Sequence, residues 1–152
     1  MSDQDKTVVI LMAEDDADDR LLAEEALGET RWPGGLRFVQ NGEELLDYLL
    51  RRGAFAPPVD APRPALILLD LNLPRKDGRE ALREIKSHPA LKRIPVVILT
   101  TSAADTDIET LYDLGANSFI SKPAQFDALV KVMNSLRQYW FNTVALPALK
   151  HA

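Results

Sequence analysis

The sequence predicts an α/β fold: a doubly wound, five-stranded parallel sheet flanked by five helices. Three observations point there. Short apolar runs alternate with amphipathic stretches five times along 152 residues. The main runs carry no polar side, as strands covered on both faces require. Five β–α repeats imply parallel strands joined by right-handed crossovers, with helices on both faces.

Each element has a local signature. Val8–Ala13 is a continuous apolar run, and it predicts the first strand. Asp16 to Leu27 reads as a helix. Asp16 can cap it, Asp18 and Asp19 suit its positive end, and Gly28 suits the stop. Trp32–Pro33–Gly34–Gly35 is a turn cluster, and Leu36 to Val39 a short strand. Asn41–Gly42 punctuates the chain before a helix over Glu43 to Arg52, with Leu45, Leu46, Leu49 and Leu50 at or near its inner face. Gly53 to Pro64 holds four of the ten prolines and no periodicity, which predicts a loop stiffer than its length implies. Ala65 to Leu69 is the third strand, Leu73 to Gly78 a loop, and Arg79 to Ser87 a helix ended by Pro89. Val96 to Leu99 is the fourth strand, led in by Pro95. Asp105 to Leu114 is a helix closed by Gly115, and Ser118 to Ser121 the fifth strand. Gln125 to about Phe141 is the last helix, with Phe126, Leu129, Val130, Met133 and Leu136 at helical spacing.

Composition bounds the function. The chain fits one domain, 1–152, large enough to bury roughly 70% of its unfolded surface. It has no cysteine, which excludes disulfides, thiolate metal sites and cysteine nucleophiles and suits a reducing cytoplasm. Met1 to Lys6 does not resemble a signal peptide, and no apolar run approaches the ~20 residues of a membrane span. A net charge of -5 disfavours direct nucleic-acid binding. Neither G-x-G-x-x-G nor G-x-x-x-x-G-K-[ST] occurs.

The chemistry gathers where strands end. In such a sheet ligands bind beyond the carboxyl ends of the strands, near the switch in strand order. Glu14, Asp15 and Asp16 follow the first strand, and Asp70 and Asn72 the third. Thr100, Thr101 and Ser102 follow the fourth; Ser121, Lys122 and Pro123 close the fifth. Taken singly, each has an ordinary explanation: an acidic helix start, a loop cap, a surface lysine. Together they crowd carboxylates that repel by roughly 4 kcal/mol per pair at 4 Å and an effective dielectric near 20. Lys122 answers part of that charge, and a hard divalent cation such as Mg2+ is the natural second answer. The set is shaped to receive a phosphoryl group.

These segments, Val9–Asp16, Leu66–Pro74, Val96–Ser102 and Phe119–Pro123, resemble response regulator receiver domains of two-component signalling. The likeness runs from about Thr7 to Leu136, in family order, and implies the flavodoxin-like receiver fold. It implies that Asp70 is the phosphoacceptor, and that Asp15, Asp70 and the Asn72 carbonyl bind Mg2+ with Glu14 acting through water. It also implies that Thr100 and Lys122 contact the phosphoryl oxygens, and that the Lys122–Pro123 peptide is cis. Phe119 occupies the family's switch position and pairs with Thr100. The proline-rich loop and the extension over 137–152 resemble those of regulators paired with cyanobacterial and bacterial phytochromes. This implies a sensor histidine kinase as partner, and a homodimer through Tyr139, Trp140 and Phe141; the alternative is that these aromatics fold onto their own core. The donor histidine belongs to another protein, because His88 and His151 lie in no strand-end loop. With no output domain following, the signal is expected to leave through a downstream protein or a phosphotransfer partner. Two rivals differ in class. An aspartate-nucleophile phosphatase needs D-x-D, and Asn72 cannot serve as its general acid. A receiver that acts as a phosphorylation-independent interaction module would not need the full acceptor set.

Overall fold

Apolar strands buried on both faces build the centre of the molecule. The computed structural model describes residues 8–30, 32, 34–101, 105–143 and 145–146. Its strands are β1 (Val9–Ala13), β2 (Gly35–Val39), β3 (Leu66–Leu69), β4 (Val96–Thr100) and β5 (Ser118–Ser121). Its helices are α1 (Ala17–Glu29), α2 (Gly42–Leu49), α3 (Gly78–Ser87), α4 (Asp105–Asp113) and α5 (Phe126–Gln138). The strands are all parallel, in the order β2-β1-β3-β4-β5. The order reverses between β1 and β3, so the crevice predicted from sequence lies beyond those two strands.

Alternation along each strand divides the core in two. Leu11, Ile67 and Ile98 face α2, α3 and α4, meeting Leu45, Leu82, Ile85 and Leu111. Ile10, Met12, Leu68 and Leu99 face α1 and α5, meeting Ala23, Ala26, Leu129 and Met133. Small residues on the inner side of α1 let it lie close to the sheet. No helix among the described residues is long and apolar enough to cross a membrane.

Two helix ends differ from the pattern in the sequence. Gly28 does not stop α1; the helix continues through Glu29 and closes on Thr30, whose hydroxyl donates to the Leu27 carbonyl at 2.6 Å. A side chain that caps the end removes the need for a left-handed glycine. Gly115, by contrast, does take a positive φ of 108° just after α4. The last α-helix stops at Gln138 and widens into a π-helical turn over Tyr139–Thr143. That turn sets Phe141 against Trp32, with ring centroids 4.4 Å apart, and Trp140 also packs on the core. Tyr139 stays 52% exposed. The remaining tail calls, Val144 and Pro147, lie outside the described residues.

The segment Gly53–Pro64 is a pinned loop with one 3-10 turn at Gly53–Phe55. The Arg51 guanidinium donates to the carbonyls of Phe55, Val59 and Ala61. The Tyr48 hydroxyl donates to the Pro62 carbonyl at 2.8 Å, and Arg37 pairs with Asp60 at 2.9 Å.

Candidate functional site

Register places the site. β1 and β3 pair Ala13 with Leu69, so Glu14 and Asp70 leave the sheet side by side. The Asp70 N–H donates to the Ala13 carbonyl at 3.2 Å, and the Glu14 N–H to the Val39 carbonyl at 3.0 Å. β4 pairs Ile98 with Leu69, which carries Thr100 just past the level of Asp70. β5 pairs Ser121 with Thr100, and the Lys122 N–H donates to the Thr100 carbonyl at 2.8 Å. Four residues far apart in sequence thus meet at one end of the sheet.

Their side chains engage each other directly. Asp70 Oδ1 accepts from Thr100 Oγ1 at 2.9 Å and from the Asn72 N–H at 3.1 Å. Asp70 Oδ2 accepts from Lys122 Nζ at 3.1 Å. Lys122 also donates to Glu14 Oε1 and, at 3.3 Å, to Asp19 Oδ2. Thr100 is fully buried, and Glu14 and Asp70 are nearly so.

Burial works against charge on Asp70, but the Lys122 charge, the Asn72 N–H and the Lys122 and Thr100 hydrogen bonds outweigh it. They hold its carboxyl below the ordinary value, so Asp70 is ionised at neutral pH. For Lys122, burial likewise opposes the charge, and the Glu14 bond with the Asp70 and Glu14 charges overcomes it. The ammonium is held above its usual range. Glu14 goes the other way: burial outweighs the pull of Lys122 and pushes it up to about 7.

Local sequence prepares this geometry. Asp16 caps α1, accepting from the Asp18 and Asp19 N–H groups at 2.8 and 3.1 Å. The Arg20 guanidinium donates to the Glu14 carbonyl at 2.9 Å and ties α1 to the end of β1. Gly78 begins α3 against the Asp70 backbone, where a Cβ would lie 2.4 Å from the Asp70 carbonyl oxygen. Only glycine permits that approach.

The predicted set is partly gathered. Glu14, Asp70, Thr100 and Lys122 converge. Asp15 follows Glu14 with its side chain exposed, and Asn72 contributes its backbone N–H while its side chain is exposed. Phe119 sits half-buried against the α2–α3–α4 core, level with Ile98 and therefore one diagonal step from Thr100 on the same sheet face. Ser102 lies outside the described residues. The expected cis Lys122–Pro123 peptide is a correction: the cis bond among the described residues is Pro57–Pro58. The two X–Pro isomers differ intrinsically by only about 0.5–1 kcal/mol. With its N–H bonded to Thr100, Lys122 reaches the carboxylates from the trans form.

Two contributors were not singled out from sequence. Asp19 looked like one more acid at a helix start, and nothing local reveals its contact with Lys122. Gly78 had a faint signal in the Asp77–Gly78 pair before a helix.

The donor chemistry suits a hard cation. Glu14, Asp19 and Asp70 share one ammonium, which leaves two formal negative charges unanswered, with Asp15 at the rim. All available donors are hard oxygens. Among the described residues no three acidic or histidine side chains already stand grouped as metal ligands; the Lys122 ammonium lies between the carboxylates.

Known proteins resemble this chain in sequence and fold. The family model described as response regulator receiver domain matches residues 10–134. The response regulator Rcp1 of Synechocystis is 42% identical over 140 residues, covering 92% of this chain and 93% of Rcp1. The crystal structure of the phosphorylated cyanobacterial phytochrome response regulator RcpA superposes with a TM-score of 0.86 at 44% identity, covering 93% of this chain and 99% of that one. The Mn2+-bound form of Rcp1 superposes with a TM-score of 0.84 at 42% identity, over the same shares. The parallel sheet, its order and the near full-length matches lead to one conclusion: this chain belongs to the response regulator receiver domain family of two-component signalling.

Proposed function

We propose that this protein accepts a phosphoryl group on Asp70 from the phosphohistidine of a partner sensor kinase, and that a phytochrome is the sensor. The observation that carries the acceptor role is the Asp70 carboxylate itself. It is buried, held ionised, and flanked by Lys122 Nζ at 3.1 Å and Thr100 Oγ1 at 2.9 Å. The phytochrome link rests on the likeness to RcpA and Rcp1.

An Asp70 oxygen attacks phosphorus in line. The O–P bond forms as the P–N bond to the donor imidazole breaks, and the imidazole leaves. Lys122 neutralises charge on the phosphoryl oxygens, and Thr100 donates a hydrogen bond to them. Mg2+ is the cation we propose, held by Asp15, Asp70 and the Asn72 carbonyl with Glu14 through water. When bound it supplies positive charge for the transferring group. Thr100 shifts toward the new acceptor, and Phe119, a diagonal neighbour, fills the space left behind. The change is read on the face formed by α4, β5 and α5.

We further propose that a second copy of the chain docks on that side. β5 is an edge strand, and beside it lies a largely apolar groove of about 430 Å³ lined by Ile120, Val132, Leu136, Tyr139 and Trp140. Sedimentation at rising concentration tests this, and a monomer throughout refutes it.

Phosphotransfer from candidate kinases and from acetyl phosphate, to wild type and to Asp70→Asn, tests the main proposal. Wild type is expected to take label and the variant none. Equal labelling would remove Asp70 from the role.

A further inference from the structure

An ammonium has three N–H donors and no more. In Lys122 all three face carboxylates: Glu14 Oε1, Asp70 Oδ2 at 3.1 Å and Asp19 Oδ2 at 3.3 Å. A phosphoryl group on Asp70 would bring new acceptor oxygens to the same spot. The N–H held by Asp70 passes to the phosphoryl group as that carboxylate becomes an acyl group, and a second phosphoryl oxygen reaches Lys122 only if another partner gives way.

Two of the three are poor candidates. The Glu14 side chain is 2% exposed, so it cannot swing out to solvent as it leaves the ammonium. Asp70, the attachment point, has already yielded its N–H. Asp19 is different. Its contact is longer than that of Asp70, its side chain is 39% exposed, and once released its carboxylate meets water.

Nor does the helix need the Asp19 side chain. In a capping box the acid at the third helical position would reach back to the N-cap N–H. Here the Asp16 N–H is directed to Glu14 Oε2 at 3.4 Å, and Asp16 Oδ1 holds the backbone N–H of Asp19. The Asp19 carboxylate is turned to Lys122 instead.

We infer that Asp19 is a positioning residue for Lys122. In the unphosphorylated protein it occupies the N–H that a second phosphoryl oxygen takes over. The exchange of Asp19 for phosphoryl oxygen sets how readily the site fills, and it makes α1 responsive to the state of Asp70. This inference rests on the acceptor role proposed for Asp70.

The test is titration of the full chain with beryllofluoride, a phosphoryl mimic, at saturating magnesium, read by calorimetry. Wild type, Asp19→Asn, Asp19→Glu and Asp70→Asn are compared. Asp19→Asn removes the charge and leaves only a neutral acceptor for the third N–H, so its half-saturating concentration should fall roughly two- to five-fold, the scale of an exposed ion pair. Asp19→Glu keeps the charge and should stay close to wild type. Asp19→Asn should also lower the half-saturating concentration of acetyl phosphate without raising the maximal rate in proportion, a split that general loosening would not produce. An unchanged half-saturation in Asp19→Asn, or an equal shift in Asp19→Glu, overturns the inference while leaving Asp70 as the acceptor. Binding to Asp70→Asn as tight as to wild type would instead overturn the acceptor role, and this inference with it.

Discussion

Replacing Lys122 with methionine keeps most of the apolar stem and removes the ammonium shared by Glu14, Asp19 and Asp70. At 3.1 Å and an effective dielectric near 20, the Lys122–Asp70 attraction is about 5 kcal/mol before desolvation is subtracted. Deleting one partner of a buried pair leaves the other carboxylates uncompensated, and the net loss is about 3 kcal/mol or more. In a chain this long, that lowers the thermal midpoint by about 6–12 °C. The loss depends on pH. Burial pushes Glu14 from 4.5 to about 7 even with Lys122 present. A carboxyl whose folded value is raised contributes stability that is complete below its unfolded value and is lost as pH rises through its folded value. Without the ammonium, Glu14 rises further and Asp70 loses the charge that holds it down, so both take up protons more readily in mild acid. The gap between variant and wild type should therefore be widest near pH 8 and less than half as large near pH 5. Urea unfolding at both pH values, without added metal, measures it. An equal gap at both, or a midpoint at pH 8 lowered by less than about 2 °C, would refute the claim that Lys122 holds buried ionised carboxylates together.

Three further outcomes are expected. Gly78→Ala puts a Cβ 2.4 Å from the Asp70 carbonyl oxygen and 2.8 Å from the Leu71 Cα, both backbone atoms. It should cost about 2 kcal/mol and slow labelling of Asp70 by acetyl phosphate, and normal stability with normal labelling would show that α3 can simply move away. Tyr48→Phe removes the bond to the Pro62 carbonyl and should cost about 1 kcal/mol at pH 8. Burial pushes the Tyr48 phenol from 10.0 to about 12, so its contribution is complete below about pH 10 and disappears as pH rises through about 12. Urea curves for the pair should converge over that window, and a constant difference would contradict the assignment. Arg51→Ala removes the donor to three carbonyls of the proline-rich loop, and limited proteolysis within 53–64 should quicken. Unchanged cleavage would mean the prolines alone hold the loop.

Strand positions were legible because burial on both faces demands apolar side chains at every position, as in Val9–Ala13 and Leu66–Leu69. The meeting of Glu14, Asp70, Thr100 and Lys122 was legible too. Parallel strands end on the same side, so the residues just past them must converge. The helix start at Asp16 announced itself through a capping side chain that makes the bond, whereas Asn41, read only as punctuation, proves to cap the next helix in the same way. Tertiary structure decided what local pattern leaves open. It carried α1 past Gly28, ended α5 at Gln138, and set Phe141 on Trp32. It gave Lys122 its third carboxylate in Asp19 and kept the Lys122–Pro123 peptide trans. A short window of sequence encodes which face is buried and which residue can cap an end. Which side chains meet across elements depends on how helices sit on the sheet, and that is settled only when the whole core packs at once.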